Sequence, residues 1–185
     1  MGKLGGKIAV IVGASRGIGA SIAKLFALEG AEVFILARNI ERLRELQLQI
    51  SESAKTPAII GCDITDEQII RKAFEEIRAR FESVDILINT AAYLEKGLMK
   101  DMPDSLLIKT WETNVLGIFR CCRAVFELMA EHGGSIVNIS SLSGVVGVSK
   151  FEGMGAYNIS KYGLWGLTEI LALEWSKYNI RVNAV

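Results

Sequence analysis

The sequence is poor in the residues that build metal sites, disulfide frameworks and disordered tails. Its 185 residues include two prolines, three cysteines and one histidine. So little proline argues against a disordered or fibrous chain, and an odd number of cysteines without metal-type spacing predicts neither a disulfide framework nor a zinc site. We interpret Cys62, Cys121 and Cys122 as buried thiols of a reducing compartment, and we expect no metal.

The chain also lacks an excess of either charge and any long apolar run. Its 21 basic residues balance 21 acidic ones, so it has no electrostatic footprint of nucleic-acid binding. The first apolar run, at 8–12, is too short for the core of a signal peptide, and no stretch is long enough to span a bilayer. We therefore expect a cytoplasmic protein with neither nucleic-acid nor membrane partners.

What the sequence does have is a regular alternation of short apolar runs and longer amphipathic segments. Such alternation predicts parallel strands joined by right-handed helical crossovers, in one domain spanning residues 1–185. The apolar runs are nearly continuous, which is typical of a sheet covered on both faces. The predicted strands are 8–12, 32–37, 58–62, 86–89, 135–140 and 181–185, and the predicted helices are 17–29, 40–53, 66–81, 104–131 and 156–178.

Two helix starts carry capping signals. Asn39 is a plausible N-cap for the second helix. The run from Thr65 to Gln68 fits a capping box, with Thr65 as the N-cap and the Gln68 side chain reaching back.

A glycine-rich loop lies between the first predicted strand and the first predicted helix. Glycines allow a tight turn and close approach to a pyrophosphate, and the helix N-terminus offers free N–H groups and a positive dipole end. The alternative is an ordinary glycine-rich turn, but the strand-loop-helix context favours dinucleotide binding. The predicted contacts are Gly13, Ser15, Arg16, Gly17, Ile18 and Gly19.

The end of the second strand bears on the choice of cofactor. An acidic residue there would bind the ribose 2′-hydroxyl of NAD, but this chain has Arg38, in addition to Arg16 in the loop. Two guanidinium groups suit a 2′-phosphate, so NADP (NADPH) is favoured over NAD. The alternative is that both arginines are solvated surface residues.

Tyr157 and Lys161 are four residues apart on a predicted helix and so share one face. A free tyrosine has a pKa of about 10, and a nearby ammonium favours the phenolate. Such a tyrosine can exchange a proton with a carbonyl or alcohol oxygen. Most pairs with this spacing lie on protein surfaces, but here Ser140 and Ser141 end a strand upstream, where α/β sheets bind their ligands.

Together these segments resemble the short-chain dehydrogenase/reductase family over essentially the whole chain. The glycines at 13, 17 and 19 match the family fingerprint Thr-Gly-x-x-x-Gly-x-Gly, except that Val12 replaces the threonine. The resemblance implies a doubly wound Rossmann fold with strand order 3-2-1-4-5-6. It also implies hydride transfer between NADP(H) and a carbonyl or alcohol substrate, and a homotetramer or homodimer.

The resemblance also implies roles for individual residues. Ser141 would polarise the substrate, with Ser140 as the alternative, and Tyr157 would be the acid/base and would also contact the cofactor. Lys161 would be its partner and a ribose ligand, and Asn114 would hold a proton-relay water unless it is a structural polar residue of its helix. The lone His132 is assigned no catalytic role.

On the adenosine side, the resemblance implies that Asp63 contacts the adenine, although it could also cap the following helix. After the fourth strand the family has Asn-Asn-Ala-Gly. Asn89 and Ala91 match this motif and would contact the cofactor, whereas Thr90 and Ala92 depart from it.

Two further departures concern the substrate side. Tyr157 follows Ser141 by 16 positions, more than the family's usual spacing, so the segment 149–155 is interpreted as an insertion at the mouth of the site. The sequence stops at Val185 inside a predicted strand, and we expect a fragment that lacks the family's seventh strand and substrate lid. The alternatives to an enzyme are a dinucleotide-binding sensor or scaffold, or an inactive fragment that aggregates. The substrate itself is not identified.

Overall fold

The structure, a computed structural model, describes residues 2–185. Its strands form one sheet of parallel pairs in the order β3-β2-β1-β4-β5-β6, which confirms the predicted fold and strand order. The strands are β1 (Ile8–Val12), β2 (Glu32–Ala37), β3 (Ala58–Gly61), β4 (Ile86–Asn89), β5 (Gly134–Asn138) and β6 (Ile180–Ala184).

Helices cover both faces of this sheet, and alternate residues of the central strands pack against opposite layers. Val10 and Val12 of β1 belong to one apolar cluster, whereas Ala9 and Ile11 belong to the other. This period of two is the expected geometry of a strand buried on both sides. The helices are α1 (Gly17–Leu28), α2 (Ile40–Ser51), α3 (Glu67–Arg78), α4 (Asp104–Trp111), α5 (Ile118–Met129) and α6 (Gly155–Trp175).

The predicted continuous helix over 104–131 is wrong in its middle. A π-helical segment, Glu112–Gly117, separates α4 from α5. Asn114 lies in this wider turn, with its side chain hydrogen-bonded to the backbone of Tyr93. Periodicity cannot show such a widened turn, because the apolar pattern continues through it. π-Helical turns are frequent at functional sites.

The predicted capping box is also wrong, whereas the Asn39 cap is confirmed. The Asn39 side chain accepts a hydrogen bond from Arg42 N at 3.0 Å. For α3 the N-cap is Asp66, whose carboxylate accepts from Gln68 N and Ile69 N. The Asp66 carboxylate is a stronger acceptor for the first backbone N–H groups of α3 than the Thr65 hydroxyl would be. The Thr65 hydroxyl instead donates to the Asp63 carboxylate at 2.8 Å.

The predicted burial of the cysteines is confirmed, since Cys62, Cys121 and Cys122 are free thiols in the interior. Burial raises the pKa of the Cys122 thiol to about 12, so it stays protonated. Residues 2–185 contain no cluster of three His, Cys, Asp or Glu side chains able to hold a metal. In the same range no helix combines the length and apolarity needed to cross a bilayer.

Candidate active site

A cleft of about 610 Å³ opens at the carboxyl ends of the central strands. β1 lies between β2 and β4 in the sheet. The chain continues from β1 to β2 on one side and from β4 to β5 on the other, so the connections after β1 and β4 lead in opposite directions. This is the position at which open α/β sheets bind ligands. The lining residues are Val12, Gly13, Ser15 to Gly19, Ala37 to Asn39, Arg42, Cys62 to Thr65, Thr90 to Ala92, and Thr113.

The glycine loop forms one wall of this cleft and has the backbone that its sequence predicts. Gly13 and Gly17 have φ values of +86° and +57°, which L side chains rarely adopt. A Cβ on Gly17 would meet no atom of the described residues within 4 Å. Gly17 therefore keeps the backbone bare on the side where a ligand can approach it.

The N-terminus of α1 has the electrostatics of an anion site. Arg16 is its N-cap residue and makes no side-chain capping bond within the described chain, and the first turn contains no acidic residue. The helix dipole and free N–H groups are thus uncompensated at the cleft. A pyrophosphate would satisfy both, so the loop fits a dinucleotide.

Three arginines line the adjoining part of the cleft. Arg16 and Arg38 were predicted there, and the structure adds Arg42 in the first turn of α2. None of the three forms an ion pair with another residue in the range 2–185. The spacing of Arg38 and Arg42 was visible in the sequence, but Arg42 also looks like an ordinary solvated helix residue.

The residues predicted on the adenosine side do not all lie in the cleft. Asp63 lines the cleft but does not cap the following helix, because the N-cap of α3 is Asp66; the Asp63 carboxylate accepts from Thr65 N at 3.0 Å, before the helix begins. Ala91 lines the cleft as well. The Asn89 side chain does not, because its amide is buried and donates to Asn138 at 2.9 Å. A cofactor contact for Asn89 stays a prediction that this placement does not support.

Tyr157 and Lys161 share one face of α6, with the lysine Nζ 5.5 Å from the tyrosine ring centroid. Lys161 is only 2% exposed, and burial lowers the pKa of its ammonium to about 8. Its Nζ donates to the Ile139 carbonyl at 2.8 Å. A buried cation of lowered pKa beside a half-buried tyrosine is an arrangement suited to proton transfer.

The two candidate serines directly follow the residue that holds Lys161. Ser141 is half-buried, and its hydroxyl accepts from Ser143 N at 3.1 Å, which starts a short 3₁₀ turn. The Ser140 hydroxyl is buried and has no hydrogen-bond partner within residues 2–185. The Ile139 contact thus ties the serine segment to the helix of Tyr157.

Asn114 links the same helix to the loop after β4. Its Oδ1 accepts from Tyr93 N at 2.7 Å, and its Nδ2 donates to the Tyr93 carbonyl and the Ser160 hydroxyl, each at 2.9 Å. The Ser160 hydroxyl in turn donates to the Tyr157 carbonyl at 2.8 Å. Ser160 was not predicted, since a serine inside a helical pattern gives no signal of a distant partner.

The segment 149–155 connects two loops at this edge of the sheet. Lys150 Nζ donates to the Val145 carbonyl at 2.6 Å, in the loop after β5. Gly97 N, in the loop after β4, donates to the Gly153 carbonyl at 2.9 Å. Between these anchors Phe151 is 74% exposed. That the segment shades the mouth of the site stays a prediction.

Comparison with known proteins agrees with this geometry. A sequence model of the family described as short chain dehydrogenase matches residues 7–185. Carbonyl reductase family member 4 of Danio rerio is 36% identical over 97% of this chain and 73% of its own length. The NAD-dependent glycerol dehydrogenase of Listeria innocua is 38% identical over 97% of this chain and 68% of its own.

A solved structure supports the same conclusion. A variant of actinorhodin polyketide ketoreductase, crystallised with NADPH, has a TM-score of 0.91 and 33% identity, covering 100% of this chain and 70% of that one. The glycine loop, the cleft at the carboxyl ends of the central strands and the Tyr157–Lys161 helix therefore lie in a chain that belongs to the short-chain dehydrogenase/reductase family of oxidoreductases.

Proposed function

We propose that the protein transfers a hydride between NADP(H) and a carbonyl or alcohol substrate, with Tyr157 as the acid/base. The observation that carries the proposal is the buried Lys161 beside Tyr157, on a helix that is hydrogen-bonded to the end of β5. Relatives support the coarse reaction, since one is named a carbonyl reductase and another a glycerol dehydrogenase.

The cleft supports a division of labour in cofactor binding. The glycine loop, with Gly13, Gly17 and Gly19, and the open end of α1 would hold the pyrophosphate. Ser15 and Ile18 of the loop would complete this wall, while Asp63 and Ala91 would border the adenosine.

The 2′-phosphate would be bound by the arginines Arg16, Arg38 and Arg42. Their charges have no ion-pair partner along residues 2–185, so a doubly charged phosphate would supply one. A related ketoreductase carries NADPH, whereas the glycerol dehydrogenase is NAD-dependent, so the relatives allow either cofactor. The arginines are what favours NADP here.

When bound, the nicotinamide supplies or accepts the hydride. This chain's residues supply the proton and the orientation. During reduction the Tyr157 hydroxyl donates its proton to the carbonyl oxygen, and the Ser141 hydroxyl hydrogen-bonds the same oxygen. Lys161, still mostly protonated at pH 7, stabilises the phenolate that remains. Asn114 holds the helix of Tyr157 against the loop after β4, in addition to its proposed part in the proton relay.

The test is a panel of ketones and aldehydes offered with NADPH and, separately, with NADH, followed by nicotinamide absorbance. We expect oxidation of NADPH with at least one ketone and weaker binding of NADH. Equal affinity for both cofactors would contradict the arginine argument alone. Tight cofactor binding without turnover of any carbonyl or alcohol would instead indicate a sensor or scaffold.

We also propose that a second copy of the chain covers an apolar face of α4 and α6. The large apolar side chains exposed on these helices include Ile108, Trp111, Ile170 and Leu173, at 63%, 43%, 52% and 72%. A surface of this kind is typical of protein-protein contacts. Sedimentation velocity should show a dimer or tetramer, and a monomer at micromolar concentration would contradict the proposal.

A further inference from the structure

The Thr90 hydroxyl lies at the junction of β1, β4 and the glycine loop. Thr90 directly follows β4 and is half-buried at the cleft. Its backbone N and its Oγ1 both donate to the Val12 carbonyl, each at 2.8 Å. A carbonyl oxygen has two lone pairs, so Thr90 occupies the whole accepting capacity of the last residue of β1.

The same hydroxyl contacts both ends of the glycine loop. A Cβ on Gly13 would lie 2.7 Å from Thr90 Oγ1, and a Cβ on Gly19 would lie 2.5 Å from it. Real side chains do not approach so closely, so the hydroxyl and the two bare backbones fill one space. A Cβ on Gly17, by contrast, would meet no atom within 4 Å from elsewhere in residues 2–185. The loop is thus packed at its ends and open at its centre.

The β1 strand offers no hydroxyl of its own for this junction. The Val12 side chain is 1% exposed and belongs to the apolar core, at the position where the family fingerprint has threonine. On the opposite side, Gly13 N and Ala14 N both donate to the Leu36 carbonyl, at 2.8 and 3.2 Å. The start of the loop is therefore fastened to β2 by backbone bonds and to β4 by Thr90.

We propose that Thr90 is a positioning residue for the cofactor. Its hydroxyl fixes the end of β1 and both ends of the glycine loop, which raises dinucleotide affinity without any part in proton transfer. The inference rests on the proposed function, since the loop must be a cofactor site for affinity to depend on it. Preorganisation of a binding loop increases affinity by lowering the cost of ordering it on binding.

The decisive variants are Thr90→Val, which removes the hydroxyl at nearly constant shape, and Thr90→Ser, which retains it. Thr110→Val is the matched control, because the buried Thr110 hydroxyl donates only to Leu106 of its own helix at 2.7 Å, outside the cleft. The full chain is used, with melting temperature recorded for every variant. Two quantities are measured: the dissociation constants of NADPH and NADH, and hydrogen exchange of the Gly13 and Ala14 amides without nucleotide.

We expect Thr90→Val to raise the NADPH dissociation constant roughly 3- to 10-fold, as for one lost hydrogen bond, and to leave kcat at saturating cofactor within about twofold. The Gly13 and Ala14 amides should exchange faster in this variant. Thr90→Ser and Thr110→Val should match the unmodified chain in both measurements.

Unchanged exchange and affinity in Thr90→Val would overturn the inference. Equal loss in Thr90→Ser would overturn it too, because the hydroxyl would then not be the cause. If the unmodified chain binds neither nucleotide, the proposed function fails and exchange alone decides: faster loop exchange in Thr90→Val supports the positioning role, and unchanged exchange refutes it.

Discussion

The two ends of the candidate active site are built in different ways. The proposed phosphate end comes mainly from one continuous segment, the glycine loop at 13–19, together with Arg38 after β2 and Arg42 in the first turn of α2. The proposed proton-transfer end is assembled from the loop after β4, the π-helical segment, the end of β5 and α6. Its hydrogen bonds join residues such as Asn114 and Ser160, which are 46 positions apart.

This difference has a thermodynamic consequence. The glycine loop is one continuous segment between a strand and a helix, and β2 and β4 only fasten its start. The second end forms only when the loop after β4, the end of β5 and α6 come together. Residues in one hydrogen-bonded network also respond together to substitution, whereas distant sites respond independently. Variants at the two ends should therefore separate cofactor binding from turnover.

The largest separation is expected for Tyr157→Phe. This change keeps the ring but removes the hydroxyl that we propose moves the proton, so kcat should fall at least ~100-fold, as is typical for loss of a general acid/base. The NADPH dissociation constant should change little. Stopped-flow reduction of a ketone and fluorescence titration measure the two quantities.

Tyr162→Phe is the matched control on the same helix. The Tyr162 hydroxyl donates to the Val145 carbonyl at 3.2 Å and is exposed. Its kcat should stay near that of the unmodified chain. If Tyr157→Phe also keeps near-full activity, the proposed role of Tyr157 is wrong.

Arg38→Asp tests the opposite end. The change replaces a proposed 2′-phosphate partner with a carboxylate suited to a free ribose hydroxyl, so the NADPH dissociation constant should rise roughly 10- to 100-fold and that of NADH should fall. The value of kcat at saturating cofactor should stay near that of the unmodified chain. Titration of both nucleotides gives the measurement.

Arg44→Asp makes the same change of charge on α2 outside the cleft, where Arg44 pairs with Glu41. It should alter neither affinity. A comparable loss of NADPH binding in both variants would show that net charge, and not the Arg38 position, governs cofactor choice.

The smallest effect concerns stability, and it depends on the buried Lys161. Its pKa is about 8 in the folded chain, below the ordinary value of 10.5. Between these values the unfolded chain holds the proton and the folded chain has released it, so this group makes the fold more stable as pH rises. Relative to Lys161→Met, the free energy of unfolding should rise by about 2 kcal/mol from pH 7.5 to 9.5.

Urea denaturation at the two pH values measures this difference. Lys72→Met, at an exposed position of α3, should parallel the unmodified chain. If the free energy of unfolding changed with pH in the same way for Lys161→Met and the unmodified chain, Lys161 would not be a desolvated cation.

Much of the fold could be predicted, because its signals are local. Alternating strands and helices, together with the family resemblance, gave the order β3-β2-β1-β4-β5-β6, and most element ends lie within a few residues of the predicted ones. The predictions failed where a residue distant in the sequence, or an adjacent side chain that is a better hydrogen-bond acceptor, determines the local structure. The π-helical turn at Asn114 accompanies hydrogen bonds to Tyr93, and Asp66 replaces Thr65 as the cap of α3.

The residues of the candidate site also separate into those that the sequence predicted and those that it did not. The glycine loop, Arg38 and the Tyr157–Lys161 pair were visible in the sequence, because their chemistry depends on short spacings or on one strand end. Arg42 and Ser160 were not predicted. In the sequence they cannot be distinguished from an ordinary solvated arginine and an ordinary serine within a helix. Asn89 was assigned to the cofactor, yet the core holds its amide against Asn138.

The sequence by itself determined the layered sheet, the family and the position of the phosphate loop. Apolar periodicity, glycine spacing and helix polarity act over a few residues and need no knowledge of distant partners. Only the tertiary structure decided that Lys161 is buried against the Ile139 carbonyl and that the Thr90 hydroxyl closes the space between Gly13 and Gly19. The Lys161 contact forms when α6 packs against the end of β5, and the Thr90 contact forms when β1 pairs with β4, so desolvation and packing at these points are set by the fold.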